Sequence, residues 1–343
     1  MTSTTYQRIV LAARPKGKVE PANFRLETLA QPTLASLKND EVLVQNQYLS
    51  LDPYMRGRMS TAKSYADPQA LDKTMIGATA GTVLASKHAE FKVGDDVVGM
   101  LGWAEMGVVH GRELRRVDAK IPLSAYLGVV GMPGVTAWYG VNKILQAKAG
   151  QTLVVSAASG AVGSVVGQLA KLKGCHVVGI AGGEKKCRYV TEQLGFDACV
   201  DYQQAQAKKE LLINLQASLQ AATPDGIDLL FENVGSTILD ASLACLNPHA
   251  KIALCGMIAG YNSVATPLQN SSKLLTMRAS LQGFIVTEHM EIWPLALQEL
   301  AGLVASGKLN YHETIAQGLA AAPEAFIGLL GGQNLGKQLV KLC

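Results

Sequence analysis

A chain of 343 residues is about two domains' worth of sequence, and 48% hydrophobic against 17% charged residues exclude a disordered polypeptide. No stretch reaches the ~18 apolar residues of a membrane span, and the segment Met1–Arg8 has no apolar core of a secretory signal, so a cytoplasmic, enzyme-sized protein is expected. Thirty-one Lys and Arg against 27 Asp and Glu leave a formal charge of +4; the densest basic run, Arg112–Arg116, contains Glu113 and no aromatic neighbour, which argues against nucleic-acid binding.

The first ~130 residues read as β-rich with frequent turns. Glu41–Tyr48 is β-branched and partly alternating and runs into a stop at Asp52-Pro53; Phe91–Val98 carries a Gly-Asp turn feeding a second apolar strand. Such short strands fit a small barrel-like domain. From Gln151 the texture alternates. Strand Thr152–Ala157 leads to helix Ala161–Lys173, whose stripe is Val162, Val165, Val166, Leu169 and Leu172, with Gly174 placed to end it. Strand His176–Ala181, helix Glu184–Leu194 closed by Gly195, strand Ala198–Val200 and helix Leu211–Ala222 follow. Next come strand Ile227–Glu232, helix Ser236–Leu246, and strands Lys251–Cys255 and Leu281–Val286. Six short strands with helical crossovers imply an α/β, doubly wound parallel sheet. After helix Glu291–Ser306 the pattern turns irregular, with a helix from Pro323 to Gly331 and a last strand Gln338–Leu342. The expected organisation is a first domain at 1–130, a nucleotide-binding domain at 131–302, and a return to the first domain at 303–343. Cysteines 175, 187, 199, 245, 255 and 343 form no Cys-x-x-Cys, and read as reduced, buried thiols.

The run Ala158-Ser-Gly160-Ala161-Val162-Gly163 follows a strand and opens a helix, the context of a dinucleotide fingerprint. Residues without bulk there let backbone N–H groups approach a pyrophosphate; Ala158 takes the first Gly position, and Gly167 lets the helix lie close to the sheet. The next strand ends Gly179-Ile-Ala-Gly-Gly183 with no acid to hold a ribose 2′-hydroxyl, and Glu184-Lys185-Lys186-Cys187-Arg188 follows. Cations near the adenosine ribose favour a 2′-phosphate, hence NADPH, although Glu184 is a candidate for the missing acid. Two-domain dehydrogenases of this layout often hold zinc, which needs Cys, His or Glu ligands in the first domain. Residues 1–150 contain no cysteine, and their only histidines are His88 and His110, so no metal site is expected.

Several stretches together resemble the zinc-independent branch of the medium-chain dehydrogenase/reductase superfamily that contains 2-alkenal reductases, prostaglandin reductases (leukotriene B4 12-hydroxydehydrogenases) and bacterial NADPH-dependent curcumin reductases. They are Ser50–Arg56 (Ser-Leu-Asp-Pro-Tyr-Met-Arg), Met132–Ala137, Ser156–Gly167, Ala170–Cys175, Leu194–Asp197, Phe231–Gly235, Gln282–Val286 and Asn334–Lys337; the Gly182–Tyr189 stretch is most similar to the curcumin-reductase group. The resemblance implies a GroES-like catalytic domain interrupted by a Rossmann domain, a homodimer through the Rossmann sheets, and reduction of the carbon–carbon double bond of α,β-unsaturated ketones or aldehydes. It implies Lys186 at the 2′-phosphate, Tyr202 near the adenosine half, and Gly183, Asn233, Cys255, Phe284, Val286 and Asn334 along the cofactor. Family tyrosines near the enone match Tyr54, Tyr65 and Tyr261. Two departures stand out: Ser236 replaces a common second Gly after Asn-Val-Gly, and the segment Asn262–Ser280 lacks a long Pro/Gly-rich insertion.

Of the tyrosines, Tyr261 has a case of its own, because it sits just past the strand Lys251–Cys255, and ligands bind outside the carboxyl ends of parallel strands. A phenol there can donate to a developing enolate oxygen. Tyr54 and Tyr65 flank a Pro-marked turn, and no motif anchors the loop around Tyr65. The expected reaction is hydride transfer from NADPH to the β-carbon of an enone. The alternatives are an NADPH quinone reductase and a non-catalytic NADPH-binding sensor.

Overall fold

The computed structural model describes residues 4–118, 120–206, 210–263 and 266–342. Residues 1–3 of the opening segment, residues 264 and 265 of the shortened segment, and Cys343 lie outside them. The chain forms two compact units, Met1–Gly128 with Glu313–Cys343, and Val129–His312.

The first unit begins with an antiparallel ribbon of β1 (Thr5–Leu11) and β2 (Phe24–Ala30). A sheet follows from β3 (Glu41–Ser50), β4 (Thr79–Ser86), β5 (Asp96–Gly99), β6 (Met106–His110) and β7 (Arg115–Arg116), with a short helix α1 (Tyr54–Arg58) after β3. β3 pairs antiparallel with both β4 and β6, and its register against β4 shifts twice. Gly81 sits in that irregular stretch, where a Cβ would fall 2.0 Å from the Gln45 carbonyl oxygen, so only glycine permits the approach. An aromatic cluster fills the core: Trp103 stacks on Phe24 at 5.2 Å, and Phe326 meets both edge-on.

The second unit opens with α2 (Met132–Tyr139), in which every residue from Pro133 to Tyr139 is buried. A helix buried all round carries no amphipathic stripe, which is why periodicity does not reveal it. Then come β8 (Thr152–Ser156), α3 (Gly163–Leu172), β9 (His176–Ala181), α4 (Glu184–Arg188), β10 (Ala198–Asp201), α5 (Tyr202–Gln206) and α6 (Leu211–Ala222). β11 (Ile227–Glu232), α7 (Ser236–Leu243), β12 (Leu246–Leu254), α8 (Ser272–Thr276), β13 (Ser280–Gly283) and α9 (Trp293–Ala305) complete it. The sheet order is β10-β9-β8-β11-β12-β13, and every pair is parallel. Strand order reverses between β8 and β11, which opens the crevice where such folds take a dinucleotide. α3 starts two residues later than the apolar stripe suggests, because residues 157–162 form the turn before it. The expected strand to Val286 stops at Gly283, and Val286 instead begins a 3-10 turn whose carbonyl accepts from Trp293 Nε1 at 3.2 Å.

The second unit continues past residue 302. Asn310 is tied to α3 by two bonds of 2.8 Å with the Gln168 side chain, and Leu309 is buried. The chain rejoins the first unit as β14 (Glu313–Gln317), α10 (Ala322–Leu330) and β15 (Lys337–Lys341). β15 pairs antiparallel with β3, so the last residues of the chain complete a sheet begun by residues 41–50.

Candidate active site

The turn between β8 and α3 is built on close backbone contacts. Ala157 holds a φ of +50°, in the left-handed region, and its carbonyl accepts from the Gly160 N–H at 2.9 Å. A Cβ at Gly163 would lie 2.3 Å from that carbonyl oxygen, so this position requires glycine; at Gly160 the same test gives 3.2 Å. Ala158 is fully buried and donates its N–H to Ile180 on β9, while Ala161 and Val162 are half-buried. The α3 N-terminus carries no side-chain cap, leaving its amide end suited to an anion. At Gly167 a Cβ would strike the Phe196 ring at 1.8 Å, a contact the motif does not name.

At the end of β9, Gly183 takes a φ of +89° and donates its N–H to Asp201 Oδ1 at 2.8 Å. The Tyr202 ring lies against Gly182, where a Cβ would sit 2.8 Å from it. Lys186 is half-buried one turn into α4, and desolvation lowers its pKa, whereas Lys185 is exposed. Glu184 points outward, 77% exposed and 3.8 Å from Arg188. Gly183, Lys186 and Tyr202 thus share one end of the sheet, where the Asp201 carboxylate is taken up by the Gly183 N–H and Lys186 is half-buried.

A buried carboxyl organises the ends of β8 and β11. Glu232 Oε1 accepts from Ser156 Oγ at 2.8 Å and from the N–H groups of Val234 at 2.6 Å and Gly235 at 2.7 Å, while Oε2 finds no partner. Burial pushes its pKa up to about 7 against these hydrogen bonds. Asn233, just past β11, is fixed to β8 by its N–H on Ser156 Oγ and its Nδ2 on Ser156 O, both at 2.8 Å. Desolvation and the nearby Glu232 push the Cys255 thiol up to about 12. Beyond it, the Tyr261 hydroxyl accepts weakly from the Met257 N–H at 3.4 Å, within the loop that leaves β12. Phe284 meets Tyr139 at 5.5 Å and Phe231 at 6.2 Å, and Val286 is buried. The sequence singles out Asn233 but not Glu232; an acid embedded in an apolar strand was the available signal.

In the first unit, Tyr54 follows Asp52-Pro53 on α1, and its hydroxyl is pushed above the ordinary phenol range by burial first and by Asp52 second. Tyr65 lies close enough to add to that shift, yet is 57% exposed. Lys337 Nζ donates to Asp52 Oδ1 at 2.9 Å and to Leu51 O at 2.5 Å, and Ser50 Oγ bonds Asp52 Oδ2. Both partners of this ion pair are buried. It joins the Asp-Pro-Tyr-Met-Arg stretch to the Asn334–Lys337 stretch across the whole length of the chain, a pairing sequence reading did not supply. Arg56 reaches Gly17 O at 2.8 Å, and Asn334 Nδ2 donates to Gly336 O at 2.7 Å. Among the described residues no three His, Cys, Asp or Glu side chains group as a metal-donor set.

Residues 7–117 match the family described as N-terminal domain of oxidoreductase, and residues 161–302 that described as zinc-binding dehydrogenase. The chain is 42% identical to the NADPH-dependent curcumin reductase of Escherichia coli over 98% of its own length and 96% of the relative's. It is 41% identical to the NADP(+)-dependent 2-alkenal reductase of Nicotiana tabacum over 88% of the chain and 87% of that protein. The crystal structure of CurA from Vibrio vulnificus in complex with NADPH superposes with a TM-score of 0.90 at 44% identity, covering 98% of this chain and 99% of that one. The zinc in the second family's description does not fit this chain, whose residues 1–150 hold no cysteine and only His88 and His110 as imidazole donors. A Rossmann unit inserted in a β-rich unit, together with near-complete alignment to these reductases, places the chain in the medium-chain dehydrogenase/reductase family, in the branch of curcumin, 2-alkenal and prostaglandin reductases.

Proposed function

We propose that the protein reduces the carbon–carbon double bond of α,β-unsaturated ketones and aldehydes with NADPH. The observation that carries this reading is the placement, at the carboxyl ends of one parallel sheet, of an uncapped helix end, a half-buried Lys186 and Tyr261. NADPH, when bound, supplies the hydride that goes to the β-carbon. The amide end of α3 receives the pyrophosphate, with Gly163 keeping the backbone open to it. Lys186 pairs with the 2′-phosphate, and Tyr202 and Gly183 border the adenosine. Asn233, Cys255, Phe284, Val286 and Asn334 line the remainder. Tyr261 donates a hydrogen bond to the oxygen that becomes an enolate, and Tyr54 and Tyr65 border the substrate.

The short segment 262–280 borders the substrate in this reading, and it is held at Gln269 and Asn270, whose N–H groups donate to the buried Asp240 at 3.0 Å and 2.7 Å. The protein is a homodimer in this reading, because β13 ends the sheet with all four of its residues exposed and free to pair with a second copy. Among the described residues no helix is long and apolar enough to cross a membrane, and the proposed site of action is the cytoplasm. Steady NADPH oxidation with 3-nonen-2-one and little with a simple quinone supports the proposal. The reverse preference would make the protein a quinone reductase, and tight NADPH binding without turnover would make it a sensor.

A further inference from the structure

We propose that Cys187 and Cys199 are a redox-active dithiol, oxidised to a disulfide by hydrogen peroxide, whose closure weakens NADPH binding. The effect on NADPH rests on the reading of Lys186 given above; the disulfide itself does not. Cys187 lies on α4 and Cys199 on β10, and their Sγ atoms stand 2.9 Å apart, with Cys199 donating to Cys187. Neither is fully buried, and both line a cavity of about 720 Å³ bounded also by Glu184, Asp201 and Ser218. A small oxidant therefore reaches them. Cys175 and Cys245 are buried, and their thiols donate to the carbonyls of Lys148 and Ala241, so they offer no such pair.

The chemistry closes without any further reagent. The hydrogen bond from Cys199 holds the Cys187 thiol below the usual range, which favours its thiolate as nucleophile. That sulfur attacks one peroxide oxygen, the O–O bond breaks, and Cys187 becomes a sulfenic acid as hydroxide leaves. Cys199 gives its proton to the hydroxide, and its sulfur then attacks Cys187, forming the S–S bond and breaking S–O; the hydroxide released there takes up the proton that Cys187 lost on ionising. Two thiols and one hydrogen peroxide become one disulfide and two waters.

The consequence follows from what flanks each sulfur. The pair must close from 2.9 Å to about 2.05 Å, drawing α4 toward the end of β10. Lys186 adjoins Cys187, and Tyr202 follows Cys199 by three residues, while Asp201 holds the Gly183 N–H. Groups assigned to the 2′-phosphate and the adenosine are thus carried on the two segments that move.

The test treats the reduced, cofactor-free full chain with excess hydrogen peroxide, blocks remaining thiols with iodoacetamide, and maps unreduced peptides by mass spectrometry. The expected result is loss of two alkylatable thiols, a 187–199 cross-linked peptide, and its reversal by dithiothreitol. The Kd for NADPH should rise at least about threefold in the oxidised protein, a difference well within binding resolution, and NADH should change less. Cys199→Ser should abolish both the cross-link and the change in Kd. Separate sulfinic acids on Cys187 and Cys199, or no cross-link, would overturn the dithiol. A cross-link with unchanged NADPH affinity would overturn its control of binding. Lys186→Ala, titrated separately in the reduced state, reports on the cofactor reading alone, so the two failures are distinguishable.

Discussion

Lys186 and Tyr261 carry the two assignments that single substitutions reach most directly. Lys186 is half-buried on α4 while Lys185 and Glu184 are exposed, and the proposal assigns Lys186 to the 2′-phosphate. Lys186→Ala should weaken NADPH by about 1.5–3 kcal/mol, the range for hydrogen bonds to charged groups, and leave NADH nearly unchanged; parallel titrations of the two cofactors check this. Tyr261→Phe keeps the ring and removes the hydroxyl, so kcat on a good enone should fall at least about tenfold with little change in NADPH affinity. A kcat within about twofold of wild type would remove Tyr261 from the proposed catalytic residues and leave Tyr54 or solvent as the candidates. Glu232 offers a test by pH. Its folded carboxyl keeps a proton up to about pH 7, whereas an unfolded glutamate releases it near 4.5. The native state therefore binds more protons between those values, and stability falls as pH rises through that window. The loss should approach about 3 kcal/mol above pH 7 and be absent in Glu232→Gln, which denaturant unfolding at pH 5 and pH 8 would reveal. These residues differ in how they could be read. Lys186 announces itself by its neighbours in sequence, but nothing local marks Glu232 as the anchor of Asn233, Val234 and Gly235, because Ser156 reaches it from another strand.

Elements were legible where the chain marks them by a short apolar run or a helix-length segment bounded by turn residues. β9, α6 and β11 lie where their periodicity places them, and Gly195 closes the helical stretch after Glu184 with a φ of +71°. α2 and β14 were not, the first because it is buried all round and the second because it joins its sheet only beside β15, at the far end of the chain. Gly167 shows how a motif residue can have a neighbour that the motif does not name. It admits the Phe196 ring that follows the Gly195 turn, and so couples α3 to the entry of β10. Gly167→Ala should cost about 1–3 kcal/mol through overpacking. Combined with Phe196→Leu, which shortens the intruding side chain, it should cost clearly less than the sum of the two; additive losses in a thermal or denaturant cycle would contradict the contact.

At the scale of the whole molecule, the chain leaves its first unit and returns to it, and the buried Asp52–Lys337 pair holds the return in register. Sequence texture alone revealed the α/β insert, since only that stretch alternates strands with helices. The junction at residue 313 was hidden, because α9 and the Asn310 tie to Gln168 continue the second unit without a break in composition. The proposed activity makes a claim about where one hydrogen goes. Incubation of the protein with NADPH carrying deuterium at both C4 positions and 3-nonen-2-one, followed by mass and NMR analysis of the product, tests it most directly. We expect 2-nonanone-type saturated ketone carrying deuterium at the former β-carbon and a solvent proton at the α-carbon. Deuterium at the carbonyl carbon of an allylic alcohol, or no transfer to the substrate at all, would contradict the assignment.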